Sequence, residues 1–129
     1  MNEFANALKV TSSGLRAQAT RLRHLSENIS NADTPGYRRK TVAFETVHAA
    51  RDTAEVEPGR VRLDKTPLVK IHDPSHPLAD ETGHYEGSNV DLMIEIADAR
   101  EAQRSYEANL KVFEQIRHMS SGLMDLLRR

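Results

Sequence analysis

The feature that most constrains the fold of this sequence is a stretch of helical periodicity at residues 88–127. Apolar residues recur there at intervals of three, four and seven positions, which places them on one side of a helix. Charged residues, including Glu95 and Asp98, occupy the other side and predict a solvated face. No proline follows Pro77, and Gly122 is the only glycine in the segment, so the pattern predicts one long helix.

A second helix is predicted at residues 3–32, where apolar residues recur at every seventh position: Leu8, Leu15, Leu22 and Ile29. A sustained seven-residue repeat is typical of a coiled-coil seam. A helix of ~38 residues spans about 57 Å at ~1.5 Å per residue, so its apolar side needs a partner of similar length. The predicted fold class is therefore mainly α, with the N- and C-terminal helices paired as an antiparallel coiled coil.

Individual residues give further information about the boundaries and the packing of both predicted helices. Ser88 and Asp91 match a capping-box pattern and predict the start of the second one. Gly14 costs the first helix about 1 kcal/mol relative to alanine. This glycine indicates either a tolerated defect or a close approach of the neighbouring helix, and the sequence leaves both readings open.

A polar and aromatic corner ends the first helix. Pro35 cannot continue a helix and Gly36 can adopt a positive φ, so the pair predicts a type II turn. Asn28 and Asn31 can hydrogen-bond the backbone groups that the helix end leaves free. A helix end alone would require neither these asparagines nor Tyr37, and we therefore predict that the corner docks against a neighbouring subunit.

Short strands are predicted between the helices. Residues 41–47 and 60–64 alternate apolar and polar side chains, whereas residues 48–60 are polar and acidic and end in a Pro-Gly turn. Two strands alone are marginal in water. The segment 41–87 is thus predicted to be a small β-hairpin or extended arm.

The sequence has 129 residues, which suffices for one domain. We expect residues 1–40 and 88–129 to form the helical coiled-coil core domain together. Residues 41–87 are then a small β/loop insertion within it.

The sequence gives no indication of catalysis or of a cofactor. It contains no cysteine, no P-loop, no G-x-S-x-G and no H-E-x-x-H pattern. His72, His76 and His84 lie near Asp73 and Asp80, but their spacing matches no zinc motif and prolines divide the group. We therefore predict no enzyme activity and no cofactor or metal site.

The net charge argues against nucleic-acid binding, and the hydropathy argues against a transmembrane helix. The net charge is −1, and no apolar run approaches the ~18 residues of a transmembrane helix. Two basic groups are present: Arg16, Arg21 and Arg23 in the first helix, and Arg38, Arg39 and Lys40 after it. We predict that the first group is a solvated face and that the second is a solvated loop or contacts an acidic protein neighbour. A free-standing coiled-coil adaptor and a small nucleic-acid-binding protein remain the alternatives.

Three stretches resemble the bacterial flagellar rod and hook family. The N-terminal signature comprises Ser13-Gly14-Leu15-x-Ala17-Gln18-x-x-Arg21-Leu22 and Asn28-Ile29-Ser30-Asn31-Ala32-Asp33-Thr34-Pro35-Gly36-Tyr37. The C-terminal signature comprises Asn89-Val90-Asp91, Glu95 and Arg104-x-Tyr106-Glu107-Ala108-Asn109. Between them, Pro77-Leu78-Ala79-Asp80-x-x-Gly83-x-Tyr85 is similar to the proximal-rod members of that family.

The resemblance implies a structural subunit of the proximal rod that assembles helically in the periplasm and transmits torque, without a cofactor or a reaction. The implied partners are copies of the chain, other rod subunits, the inner-membrane ring or rod adaptor, and the flagellar type III export apparatus. Export without a cleavable signal peptide is consistent with the polar N-terminal residues. On this basis the predicted subunit interface comprises Leu8, Leu15, Leu22, Asn28, Ile29, Asn31, Pro35, Gly36, Tyr37, Asn89, Asp91, Ile96, Tyr106, Asn109 and Phe113.

Overall fold

Two long helices dominate the structure, a computed structural model that describes residues 2–50 and 53–128. Helix α1 spans Asn2–Ser30 and helix α2 spans Leu92–Arg128. The strands between them are β1 (Lys40–Thr41), β2 (Phe44–Ala50), β3 (Thr53–Pro58), β4 (Arg62–Leu63), β5 (Lys70–His72) and β6 (His84–Glu86). The prediction of a mainly α chain with a helix at each end and small β elements between them is confirmed.

The two helices pack against each other in opposite directions. Arg21 of α1 forms an ion pair with Glu101 of α2, with 3.7 Å between Nη2 and Oε2. Further along α1, the side-chain amide of Asn28 donates a hydrogen bond to Glu95, at the start of α2 (3.3 Å). Later residues of α1 therefore contact earlier residues of α2, so the two helices are antiparallel.

Small residues bring the helices close together. Ala17 and Ala102 are completely buried. A Cβ atom at Gly14 would lie 3.2 Å from Nδ2 of Asn109, so α2 does approach this glycine closely. Of the two readings of Gly14, the close approach of the neighbouring helix is the one that the structure supports.

The centre of this packing differs from the predicted leucine repeat. The buried residues of α1 are Ser13, Ala17, His24, Leu25 and Asn28. All four members of the repeat that includes Leu8 and Leu22 are only half-buried. Small and polar side chains at the centre permit the close approach of the backbones, and the larger leucines keep part of their surface exposed.

The start of α2 also differs from the prediction. The helix begins at Leu92, and the carboxylate of Asp91 caps it by accepting a hydrogen bond from the Met93 N–H (3.0 Å). Ser88 is buried outside the helix, and its hydroxyl donates to the carbonyl of Ala32. The capping-box assignment of Ser88 is wrong because this side chain joins the loop before α2 to the end of α1.

Within the described residues the strands form three two-stranded antiparallel sheets, β1–β4, β2–β3 and β5–β6. The predicted strands at 41–47 and 60–64 overlap β2 and β4, but β3 lies in the stretch assigned to a polar loop. The N–H of Val56 in β3 donates to the Ser13 hydroxyl of α1 (3.0 Å). Pairing with β2 and contact with α1 stabilise a strand that its acidic composition disfavours.

Candidate functional site: the polar junction between the helices

The corner after α1 forms the predicted type II turn. Gly36 has φ 76°, and the Tyr37 N–H donates to the Thr34 carbonyl (3.2 Å). The Gly36 N–H also donates to the carbonyls of Glu86 (3.2 Å) and Gly87 (3.0 Å). The turn is thus attached to the end of β6, in the loop that leads to α2.

Asn28 lies at the centre of a polar junction that connects this corner with both helices. The residue is fully buried. Its Oδ1 accepts hydrogen bonds from the Lys40 N–H (2.9 Å) and the Tyr37 hydroxyl (2.8 Å). Its Nδ2 donates to the Lys40 carbonyl (2.9 Å) and to Glu95 (3.3 Å). Because burial withdraws the side chain from water, these four bonds satisfy groups that would otherwise be costly to bury.

Asn31 closes the helix locally. Its side-chain amide donates to the Glu27 carbonyl (2.8 Å), and its Oδ1 accepts from the Thr34 hydroxyl (3.1 Å). It is half-buried, while Pro35 and Gly36 are exposed. Asn31 thus bonds a carbonyl of the last helical turn, as predicted, whereas the backbone groups that Asn28 bonds belong to Lys40 in β1 and not to the helix end.

A charged pair lies beside Asn28. The guanidinium of Arg39 contacts the carboxylate of Glu95, which is fully buried, and also Asp98 (3.2 Å) and Asp64 (3.7 Å). Burial alone would lower the pKa of Arg39, but the hydrogen bond to Glu95 and the nearby carboxylate charges raise it above its usual value. The arrangement keeps Arg39 charged, as a buried carboxylate requires of its partner. The prediction that Glu95 belongs to a solvated face is wrong.

The neighbouring basic residues are also engaged within the chain. Lys40 pairs with Glu27 (Nζ–Oε2 2.9 Å), and this hydrogen bond raises the pKa of Lys40 and lowers the pKa of Glu27. Arg38 donates to the carbonyls of Asp64 and Thr66, both at 3.1 Å. The predicted solvated loop is thus a set of intramolecular contacts, because the carboxylates of both helices reach it.

Asn89 and Asp91 complete the junction. Asn89 Oδ1 accepts from the Arg39 N–H (2.6 Å), and its Nδ2 donates to the carbonyls of Asp64 (2.9 Å) and Thr66 (3.2 Å). Asp91 caps α2 two residues later. These contacts fix the position of the first residues of α2 relative to the chain segment that follows α1.

Comparisons with known proteins match both ends of the chain to flagellar rod proteins. The family model described as flagella basal body rod protein matches residues 8–38, and the one described as flagellar basal body rod FlgEFG protein C-terminal matches residues 81–126. The chain is 44% identical to the flagellar basal-body rod protein FlgC of Agrobacterium fabrum, over 99% of this chain and 98% of the relative. The chain belongs to the FlgC family of flagellar basal-body rod proteins.

Other FlgC proteins are more distant. The chain is 35% identical to the flagellar basal-body rod protein FlgC of Aquifex aeolicus, over 88% of this chain and 89% of the relative. It is 32% identical to that of Salmonella typhimurium, over 88% and 90%. The two stretches that the rod family models match are the ones that meet at the polar junction, so residues of both take part in it.

The other predicted interface residues lie mainly on the helices. Ile96 is exposed, while Tyr106, Asn109 and Phe113 are half-buried along α2. Tyr37 is half-buried, and burial raises the pKa of its hydroxyl. Whether these residues contact another FlgC-family subunit stays a prediction.

Sequence reasoning missed the Arg39–Glu95 pair. A signal was present, because Glu95 precedes Ala102 by seven residues and shares with it the face of α2 that packs on α1. A charged residue at a packed position indicates a buried partner of opposite charge. The identity of that partner depends on the course of the chain after α1, and helical periodicity contains no information about this course.

Three histidines of the insertion lie close to aromatic rings. The rings of His72 and His84 have centroids 4.7 Å apart, and His76 stacks on Tyr85 at 3.9 Å. Among residues 2–50 and 53–128, no group of three or more His, Cys, Asp and Glu side chains could hold a metal ion. Within the same residues, no helix is long and apolar enough to span a bilayer.

Proposed function

We propose that this chain is a structural subunit of the flagellar basal-body rod. It assembles helically with copies of itself and with other rod subunits into the proximal, torque-transmitting shaft in the periplasm. The relatives support this role, since each is named a flagellar basal-body rod protein. The observation that carries the proposal is the polar junction, which joins the two stretches matched by the rod family models. A subunit that transmits torque needs its helices held at a fixed angle, and buried hydrogen bonds and ion pairs provide this restraint.

The helical pair is proposed to be an antiparallel coiled coil formed by residues 1–40 and 88–129, with residues 41–87 as an insertion. The opposite directions of α1 and α2 support it, as does the spacing of seven residues that relates Glu95, Ala102 and Asn109 at the contact. The insertion is attached to this core through Asp64, whose carbonyl accepts from Asn89.

Uncovered apolar surface supports assembly with other subunits. The leucine repeat of α1 is half-buried, and α2 exposes apolar residues along its length, including Ile96, Leu110, Met119 and Leu127. Apolar surface of this extent marks interaction sites. The predicted interface residues other than Asn28, which is buried within the subunit, are proposed to contact neighbouring copies. The wider partners are proposed to be the inner-membrane ring or rod adaptor and the type III export apparatus, which receives the chain without a cleavable signal peptide.

The alternatives receive less support. A nucleic-acid-binding protein would need free basic residues, but Arg39 and Lys40 are paired with carboxylates of the same chain. A free-standing adaptor would not explain why the chain matches a rod protein over 99% of its length. No reaction and no cofactor form part of the proposal.

Deletion of the gene tests the proposed function. We expect the deletion strain not to swim and its isolated basal bodies to lack the rod in electron micrographs, with both defects reversed by a plasmid copy. An Asn6→Ala copy is the matched control and should complement fully, because Asn6 is exposed on α1. Normal swimming of the deletion strain would contradict the proposal.

A further inference from the structure

The C-terminal end of α2 extends past the start of α1. Gly14 lies opposite Asn109, so Asn2, twelve residues before Gly14, reaches the level of about residue 121, since both helices rise ~1.5 Å per residue. We call residues 122–128 the terminal arm; all of them are exposed. Leu126 and Leu127 are 66% and 71% exposed. The arm thus presents apolar side chains that α1 of the same chain does not cover.

A cleft of about 420 Å³ lies at the opposite end of the helical pair, between the turn after α1 and the β5–β6 sheet. Pro35 and Gly36 form one wall. Leu78, which is 63% exposed, and Glu86 form part of the other. The Glu86 carboxylate forms no ion pair with the described part of the chain, and Lys70, its cross-strand partner in the β5–β6 ladder, lines the same cleft. The cleft therefore offers an apolar surface next to charged groups of both signs, Lys70 and Glu86.

We propose that the terminal arm of one copy docks into this cleft on the next copy, head to tail. The arm carries Leu126 and Leu127 between Asp125 and Arg128. Its apolar side chains complement Leu78, and its two opposite charges complement Lys70 and Glu86. The inference rests on the proposed assembly into a rod and specifies one contact within it.

The position of the two surfaces supports this occupant. The face of α2 that packs on α1 runs through Ala102 and Asn109, and at the same spacing of seven it continues to Leu123 in the arm. The surface beyond the first residues of α1 is thus a continuation of the interface between the helices, and the C-terminal end of α1 in a second copy extends it. The cleft lies beside this C-terminal end. A contact between opposite ends of identical subunits does not close on itself and produces an open helical filament.

The arm can also move as a separate unit. Ser120, Ser121 and Gly122 precede it, and Gly122 has no neighbouring atoms within 4 Å of a Cβ position. Serine and glycine weaken a helix, and helices bend at such pairs. This weak point lies where α1 ceases to support α2, so the arm can adjust its angle to the cleft of the next copy.

Disulfide cross-linking tests the contact directly, because the chain has no cysteine of its own. The double variant Leu78→Cys/Leu127→Cys would be produced together with the wild-type chain, so that rods assemble and the cells swim. The two positions lie at opposite ends of α2, which spans about 55 Å, so a disulfide between them can form only between copies. After oxidation we expect a ladder of dimers and larger products on a non-reducing gel.

The matched control is Leu78→Cys/Val112→Cys, because Val112 is also exposed (48%) but lies in the middle of α2. This variant and both single variants should give no ladder. Swimming cells in which the Leu78→Cys/Leu127→Cys variant remains monomeric would overturn the docking and leave the proposed function intact. Dimers of equal yield from Leu127→Cys alone would show that two arms meet each other, which would also overturn it. An error in the proposed function would be detected separately, because the deletion strain would then swim normally.

Discussion

The polar junction makes a quantitative prediction for Asn28. Replacing it with alanine removes four hydrogen bonds, two to the main chain of Lys40 and one each to Tyr37 and Glu95. Glu95 keeps its contact with Arg39. The Lys40 N–H and carbonyl, in contrast, lose the partner that joins the chain after the turn to α1.

The expected loss follows from these bonds. Each hydrogen bond contributes about 1 kcal/mol net, so four contribute about 4 kcal/mol. Alanine favours the helix over asparagine by about 0.5 kcal/mol, and water can reach the half-buried Tyr37 hydroxyl. We expect Asn28→Ala to lower the free energy of unfolding by about 3 kcal/mol, or the melting temperature by roughly 10 °C for a chain of this length. Tyr37→Phe removes one of the four bonds and should cost about 1 kcal/mol.

Urea denaturation followed by circular dichroism at the helix signal measures both losses. Asn6→Ala serves as the control, since Asn6 is an exposed asparagine on the same helix, and we expect no more than about 0.5 kcal/mol of change. If Asn28→Ala were as stable as Asn6→Ala, the junction would not restrain the chain and the reasoning from its hydrogen bonds would be refuted.

Two further predictions concern the helix contact and acid stability. Gly14→Ala should be close to neutral, because the gain in helix propensity of about 1 kcal/mol offsets a small shift of the Asn109 amide, whereas Gly14→Leu should destabilise by about 1–3 kcal/mol. Equal urea midpoints for the two variants would contradict the close approach. The hydrogen bond from the Thr66 N–H lowers the pKa of Asp64 below its unfolded value, so its contribution to stability is present above about pH 4 and is lost as the pH falls further. The urea midpoint of Asp64→Asn should therefore fall less between pH 5 and pH 3 than that of the unaltered chain, and an equal fall would contradict this.

The helices themselves could be predicted from sequence because their signals are local. The apolar spacing and the Pro35-Gly36 pair act within a few residues of the chain, and both α1 and the turn lie where they indicate. The family resemblance likewise depends on short patterns near both ends, which the comparisons confirm.

The packed face of each helix could not be predicted from apolar residues alone. Ser13, Ala17 and Asn28 occupy the buried positions of α1, while the leucine repeat lies half-exposed. The short distance between the two backbones requires small residues at such positions. This distance depends on the partner helix. The β3 strand was missed for a related reason, since its partners β2 and α1 lie elsewhere in the sequence.

The sequence by itself determined two long helices, the turn that ends the first and the family to which the chain belongs, because helical periodicity and turn chemistry are short-range properties. Only the tertiary structure decided that Arg39 neutralises the buried carboxylate of Glu95 and that Asn28 joins both to the corner. Buried charges and amides are stable only when groups distant in sequence meet with suitable geometry, and that meeting is a property of the folded chain.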